Sequence, residues 1–326
     1  TGAIRYNTDS NKMECFDGTK WWQVAVSESA PSAGRGVQVG DEAPSPSVTM
    51  EYISMEIPGN AIDFGDLQNG VGACAAAASR TRGLAFGGVT TYPGTFTNTI
   101  DYITIATRGN GQDFGDLATT RRAPMSFGDA TRGGVAGGAS PSYTASQTGI
   151  DYVTITTQGN TQDFGDISAA TSLNGSSQVG SRTRGLLMSN NSNGPATVNN
   201  TVEYITVQST GDAIDFGDTI NAVANCLTAG NSVRGMVAGG SEPTATNTMQ
   251  YCTIATTGNF IDFGDLNMTT REASGFSSPI RAVWTDTVTV TMSSTIIATT
   301  GNAIDFGDFL VAKNHNSALT NCHGGL

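Results

Sequence analysis

The chain has 326 residues, 41 of them glycine, only 13% charged, with a net charge of −12. Glycine and β-branched residues in such numbers disfavour helix and favour short strands joined by tight turns, and no long stretch carries a helical period. An acidic, lysine-poor surface argues against nucleic acid as a partner, which needs basic patches. No 18-residue apolar run or signal peptide is present, so membrane insertion is not expected.

Residues 1–26 differ from the rest. "IRYN" and "KMECFDG" predict short strands joined by the turn "TDSN", and "DGTKWWQVA" supplies a second turn and strand. About 25 residues cannot bury a core alone. The module is therefore expected to pack on the remaining chain, on a partner subunit or on a larger particle, with Tyr6, Trp21 and Trp22 as assembly candidates. Residues 27–33 read as a linker. The first residue is Thr1 rather than Met, as in a segment cut from a longer protein.

From residue 34 onward the chain repeats. The tetrapeptide D-F-G-D occurs six times: Asp63-Phe64-Gly65-Asp66, Asp113-Phe114-Gly115-Asp116, Asp163-Phe164-Gly165-Asp166, Asp215-Phe216-Gly217-Asp218, Asp262-Phe263-Gly264-Asp265 and Asp305-Phe306-Gly307-Asp308. Successive copies lie 50, 50, 52, 47 and 43 residues apart. A DFG triplet alone suggests the metal-binding aspartate of a protein kinase, but the glycine-rich phosphate loop and the H-R-D stretch are missing. Six copies at a near-constant period mean architecture. The twelve aspartates also account for the acidity, since without them 16 acidic residues face 16 basic ones.

The third copy gives the grammar. "RRAPMSFG" (121–128) predicts a first strand, "RGGVAGG" (132–138) a second, "GIDYVTITTQ" (149–158) a third and "TQDFGDI" (161–167) a fourth after a Gly159–Asn160 turn. Four hairpin-connected strands make one propeller blade. Arg-Gly opens the second strand in five copies and Arg281-Ala282 in the sixth; Tyr52, Tyr102, Tyr152, Tyr204 and Tyr251 mark the third. Small residues in the second strand are expected to let backbones approach. The Phe of D-F-G-D is expected to fill the outer strand against the next blade, and its Gly to mark a bulge or a close backbone contact. The aspartates should accept from turn N–H groups or pair with arginines such as Arg82, Arg132 and Arg184. The repeats begin in phase at a second strand, near Gly34–Gly40, and end on a spare first strand, so residues about 316–324 should complete the blade begun at 34–66. The predicted fold is all-β: a six-bladed β-propeller of four-stranded blades over 34–326, closed by the C-terminal strand, with a small N-terminal β module.

No chemistry rises above this frame. Five cysteines (15, 74, 226, 252 and 322) lack disulfide or zinc spacing and read as buried thiols. D-x-x-D with a nearby Asn110, Asn160 or Asn259 could be taken for a calcium loop, but residues three apart on a strand face opposite ways, and calcium needs 6–8 oxygens. Turn and arginine partners are the preferred reading, and no cofactor or metal is expected. A propeller glycosidase needs a distinct pair of carboxylates, whereas these are equivalent; His315 and His323 read as structural, so no enzyme is expected. A glycan-binding, lectin-like propeller is the alternative, with Tyr92, Phe96 and Tyr143 as loop aromatics.

"GAIRYNTDSNKMECFDGTKW" resembles a small module of bacteriophage tail-fibre and virion structural proteins, where it commonly precedes a C-terminal domain. The repeats, "YITIATRGNGQDFGDL" most clearly, resemble those of structural proteins from marine phages, cyanophages in particular. Their grammar is also similar to kelch repeats, with Phe in place of the kelch Trp. The resemblance implies a virion fibre or decoration protein, oligomeric and most simply trimeric. Its partners would be other virion proteins and, where the propeller meets the host surface, glycans.

Overall fold

The computed structural model describes residues 2–7, 12–23, 34–42, 44–91, 94–139, 146–171, 177–188, 198–241 and 244–326. The chain divides into two compact units, Thr1–Ala33 and Gly34–Leu326. The described residues are all-β, without a helix, and form seven small antiparallel sheets of three or four strands.

The first unit is a three-stranded meander of Ile4–Asn7, Lys12–Phe16 and Trp21–Gln23. The second contains six sheets, whose strands are called a to d in spatial order. Sheet 1 joins Ser317–Thr320 (a) to Arg35–Val39, Ser47–Ser54 and Ile62–Val71. Sheet 2 holds Ala75–Ala78, Arg82–Thr91, Thr95–Thr104 and Gln112–Asp116, and sheet 3 Met125–Gly128, Arg132–Ala136, Gln147–Thr154 and Gln162–Thr171. Sheet 4 has only b, c and d: Arg184–Leu187, Thr201–Thr206 and Ile214–Asp218. Sheet 5 holds Leu227–Gly230, Arg234–Ala238, Thr246–Thr253 and Ile261–Thr270, and sheet 6 Gly275–Ser277, Arg281–Thr285, Thr291–Ile296 and Ile304–Asp308.

The late strand completes the first sheet in register, Ser317 opposite Val39 and Thr320 opposite Gly36. Elsewhere the a–b turn is held by a side chain accepting from the arginine N–H: Ser79 from Arg82, Asp129 from Arg132 and Asn231 from Arg234. Asn321 does the same for Arg35, at 2.8 Å, although the two are 286 residues apart. One sheet thus reproduces a hairpin turn across a gap in the chain.

Two strand expectations change. The first strand of sheet 3 starts at Met125 rather than Arg121, because Ala123 adopts φ +49° and breaks the extended run. Among the described residues sheet 4 has no regular first strand: Gly180 bridges Gly185 and Val179 accepts from Leu186, while the preceding Ser177 bonds to other sheets. Ser177 bridges Ala76 in parallel. Its hydroxyl accepts from the N–H groups of Ala318 (3.2 Å) and Gly275 (3.4 Å), and its carbonyl from the Thr228 hydroxyl (2.5 Å). One buried serine therefore touches sheets 1, 2, 5 and 6.

Apolar packing runs between neighbouring sheets. Phe114 of sheet 2 packs with Val135, Val153 and Ile155 of sheet 3; Phe216 of sheet 4 with Val237 and Ile254 of sheet 5; Phe306 of sheet 6 with Ile53 and Met55 of sheet 1. The Arg-Gly glycines accommodate side chains, whereas later glycines of the same strand show the backbone approach expected from sequence: a Cβ would stand 2.5 Å from the Gly72 carbonyl oxygen at Gly88 and 2.3 Å from that of Asp151 at Gly134. A Cβ would stand 2.5 Å from the Phe276 ring at Gly36 and 2.7 Å from Leu319 at Gly83. The first strand of one sheet thus inserts its large side chain over the second strand of the next.

Ala73, Ala123, Asn225, Glu272 and His315 all have positive φ, between 44° and 60°, at equivalent places before strand a. Their backbones are bonded in series: Ala123 N–H to Ala73 C=O, Ala73 to His315, His315 to Glu272 and Glu272 to Asn225, at 2.7–2.9 Å. A left-handed conformation costs a non-glycine residue roughly 1–2 kcal/mol. Ala123→Gly should therefore raise unfolding stability by about 1 kcal/mol, read from the urea midpoint.

Candidate functional site

The feature that recurs most completely is the joint between sheets. Each D-F-G-D receives the c–d turn of the following sheet. The Asn or Asp after the turn glycine accepts from the N–H of the second motif aspartate. The pairs are Asp66–Asn110, Asp116–Asn160, Asp166–Asp212, Asp218–Asn259, Asp265–Asn302 and Asp308–Asn60, all at 3.0–3.1 Å. The residue after it donates its N–H to the carbonyl of that same aspartate at 2.7–2.9 Å, as Gly111 does to Asp66 and Ala61 to Asp308. Sheet 6 clasps sheet 1 as each other sheet clasps its successor.

The motif glycine makes the clasp possible. At Gly115 the register shifts between Asp113 and Gly115, so the expected bulge is present. A Cβ there would stand 2.4 Å from the Gly159 carbonyl oxygen, and φ is +149°. The atoms it would meet are all backbone of Gly159 and Asn160, so no side chain can be accommodated by a rotamer change. The motif phenylalanines Phe64, Phe114, Phe164, Phe216, Phe263 and Phe306 are 1–2% exposed.

The aspartates do not pair with the repeat arginines, which corrects the sequence expectation. The first aspartate of every copy, Asp63, Asp113, Asp163, Asp215, Asp262 and Asp305, lies exposed on the outside. Asp163 sits opposite Asp151, while Tyr152 sits opposite Gln162, so the pleat directs the aspartate away from the face that holds tyrosine and arginine. The arginines instead lie over the tyrosines, 4.3–4.5 Å from ring centroids, from Arg35–Tyr52 through Arg234–Tyr251. Each also donates to a carbonyl of the next sheet: Arg82 to Ile155, Arg132 to Val207 and Arg184 to Ile254, at 2.8–3.0 Å. Each tyrosine presents an edge to its motif phenylalanine at 5.7–6.1 Å. Asparagine, arginine and phenylalanine therefore all act across a junction, and Asn160→Ala should cost about 0.5–1.5 kcal/mol in thermal unfolding.

A further set of residues had a sequence signal that went unread: the acid before the tyrosine, as in Glu51-Tyr52, Asp101-Tyr102, Asp151-Tyr152 and Glu203-Tyr204. Three of these side chains accept from a backbone N–H of the preceding sheet just beyond its D-F-G-D, while Asp151 accepts from the Arg121 guanidinium instead. Asp101 accepts from Gln68 N–H (3.1 Å), Glu203 from Ser168 (2.9 Å) and Glu51 from Leu310 (2.8 Å). In sheet 5 a neutral Gln250 does so for Ile220, at 2.6 Å. Asp101 has its pKa raised, first by burial, with Asp113 adding to the rise and the Gln68 N–H opposing it. The folded state thus binds the proton more tightly than the unfolded chain, and ionised Asp101 is a penalty present at neutral pH. Asp101→Asn keeps an acceptor for Gln68 and removes the charge. It should gain about 0.5–2 kcal/mol at pH 7, the usual range for a stabilising substitution. That advantage should fade as pH falls through the raised pKa of the native carboxyl, which paired melting curves across pH can follow.

The remaining titratable candidates have partners within the fold or are buried. The His323 imidazole is buried, with Nε2 donating to Ala78 C=O at 2.6 Å and Nδ1 accepting from Gly325 N–H at 3.1 Å; burial lowers its pKa to about 4. His315 Nδ1 lies 3.5 Å from a Glu42 oxygen, beside Arg122. All five cysteines are free; Cys74, Cys226 and Cys252 are buried, and burial pushes their thiols up to about 12. Among the described residues, no group of three or more His, Cys, Asp or Glu is placed to hold a metal ion. Of the loop aromatics, Phe96 packs with Val89 and Ala139, while Tyr92 and Tyr143 lie outside the described residues.

The N-terminal meander places its aromatics on two faces. Register sets Ile4 beside Cys15 and Cys15 beside Trp22, with Tyr6 two residues from Ile4 on the same side. Ile4, Tyr6 and Trp22 are 65%, 54% and 52% exposed. The Trp22 indole N–H donates to Asp17, and Lys20 Nζ stands 3.9 Å over its ring. On the other face Trp21 meets Phe16 at 5.2 Å and Arg5 at 4.1 Å, and Arg5 pairs with Glu14 at 2.8 Å. Hydrogen bonds from the Thr19 hydroxyl and then Trp22 hold the Asp17 carboxyl well below its usual range, fixing the Asp17–Lys20 turn.

Neither a protein-family model nor a curated protein sequence matches this chain.

Proposed function

We propose that residues 34–326 close into a six-bladed β-propeller and that the chain is a non-enzymatic structural protein of a phage particle, a fibre or decoration protein that displays the propeller at the surface. Residues 1–26 serve as its attachment and oligomerisation module. The observation that carries this reading is the clasp. Every copy of the most conspicuous motif holds a neighbouring sheet through the backbone of its second aspartate, and the sixth holds the first, so assembly of the sheets accounts for the repetition without a catalytic role for the motif. The exposed apolar face of Ile4, Tyr6 and Trp22 supports an attachment role, since a face of this kind on so small a module marks an interaction site.

Two measurements test the reading. Light scattering of the full chain should give an oligomer that Tyr6→Ser/Trp22→Ser reduces to monomer, with the propeller's melting unchanged. Antibodies to residues 34–326 should decorate intact phage particles carrying the protein. A monomeric wild-type chain together with undecorated particles would discard the proposal.

A further inference from the structure

We propose that sheet 6 carries a binding cleft for one aromatic ring, either a free phenol or the side chain of an aromatic residue. The reasoning starts from the unit that breaks the pattern. In sheets 1 to 5 the strand-b arginine covers a strand-c tyrosine, which rests its edge on the motif phenylalanine. In sheet 6 the tyrosine position is Ser294: it lies opposite Ile304, as Tyr152 lies opposite Gln162. The arginine and the phenylalanine remain, and the ring that separated them elsewhere is gone.

The neighbours have closed on the gap only slightly. Arg281 lies 5.5 Å from the Phe306 centroid, against 6.0 Å for Arg82 and Phe114 where the tyrosine is present. Its Nη1 donates to the Met55 and Glu56 carbonyls at 3.3 and 3.2 Å, whereas Arg82 and Arg234 reach the equivalent carbonyls at 2.8 and 2.7 Å. A cleft of about 230 Å³ opens here, with Ser294 at its floor, Arg281, Ile296 and Ile304 as walls and Thr299 and Asn302 at its rim. Clefts of about 190 and 250 Å³ occupy the same place in sheets 2 and 3, but Arg82 and Arg132 do not line them. The difference lies in the lining rather than the size. Ile304 is 67% exposed, more than Ile62, Ile214 or Ile261 at the same position, which are 49–56% exposed.

This lining selects its ligand. A guanidinium with an uncovered face attracts a π system, and two isoleucine side chains gain by covering apolar surface. Ser294, Thr295, Thr299, Thr300 and Asn302 also line the cleft and give a phenol hydroxyl hydrogen-bond partners beside the two isoleucines, whereas an anion would find a single arginine already engaged with two carbonyls. A phenol restores the arginine–ring contact already present in the other five sheets. Because only one sheet lacks its tyrosine, the cleft marks one point on an otherwise repetitive surface and takes one ligand per chain.

The test uses the full chain and p-cresol, the tyrosine side chain as a free molecule, followed by NMR. Saturable shifts in sheet 6 are expected, with a dissociation constant on the order of 1 mM for a fragment of this size. Ser294→Tyr should abolish binding, because it installs the ring found in the other sheets. Ile304→Gln, the residue of sheets 2 and 3, should weaken binding several-fold. Tyr152→Ser should raise the stoichiometry from one to two. A second arm uses N-acetyl-tyrosinamide: binding there as well identifies a polypeptide side chain as the source, and binding of p-cresol alone identifies a free phenol. No saturable binding below roughly 10 mM, or binding that Ser294→Tyr leaves intact, overturns the proposal.

Discussion

Ending the chain after Asn316 is expected to abolish the native state of residues 34–326. The deletion removes four register pairs from Arg35–Val39 and leaves that strand a bare edge. It takes Leu319 from the packing around Val37 and Ile103, and it removes the Ala318 N–H that bonds the buried Ser177. Bare, apolar edges recruit other chains, so the shortened protein should be found in soluble aggregates or in the pellet, without a cooperative melting transition. A rearranged gene provides the control. Moving Ser317–Leu326 to a position before Gly34 with a short linker should restore solubility and the transition, because Asn321 already occupies the place of a turn residue beside Arg35. A truncated chain that melts at the wild-type temperature would show that the late strand is dispensable.

Replacing Arg121 by Met should cost about 3–5 kcal/mol, the price of leaving one partner of a buried ion pair alone. The Arg121 guanidinium donates to Asp151 at 2.6 Å and to the carbonyls of Gly149 (2.5 Å) and Gly137 (3.1 Å), and both side chains are almost fully buried. Burial opposes charge on each, raising the Asp151 pKa and lowering that of Arg121, while their mutual attraction works against both shifts. The single variant should lower the melting temperature by about 5–15 °C for a domain of this size. Arg121→Met/Asp151→Leu should recover most of the loss, because a well-packed apolar pair can replace a buried ion pair. Two other sheets support this expectation. Lys313 and Glu51 form the corresponding pair in sheet 1, whereas sheet 5 has the uncharged Val223 and Gln250. If the double variant is no more stable than the single one, the ion pair is not what holds this position.

Local grammar was readable because each strand announces itself. Arg-Gly, the tyrosine, the Gly-Asn turn and D-F-G-D recur at fixed offsets, and the bulge at the motif glycine follows from that residue's freedom at positive φ. The late strand was also readable, from the phase of the repeats. What the letters did not disclose is which partner each side chain finds across a junction. Asn160 acts on Asp116, 44 residues earlier, and Arg132 on Val207, 75 residues later. Charge complementarity suggested aspartate for that arginine, but the strand pleat places the two on opposite faces. Ser177 belongs to no motif, and its role arises only where four sheets meet. The acids before the tyrosines were visible as a repeated dipeptide, and their purpose appears only with the neighbouring strand in place.

The pairing of Arg35–Val39 with Ser317–Thr320 also sets a schedule. At roughly 5–20 residues per second of synthesis, the earlier strand waits on the order of tens of seconds for its partner to leave the ribosome. During that interval its open side is available to any passing β-strand, including those of nascent sister chains on the same messenger. Yield should therefore depend on translation speed and on message crowding more than on the stability of the finished molecule.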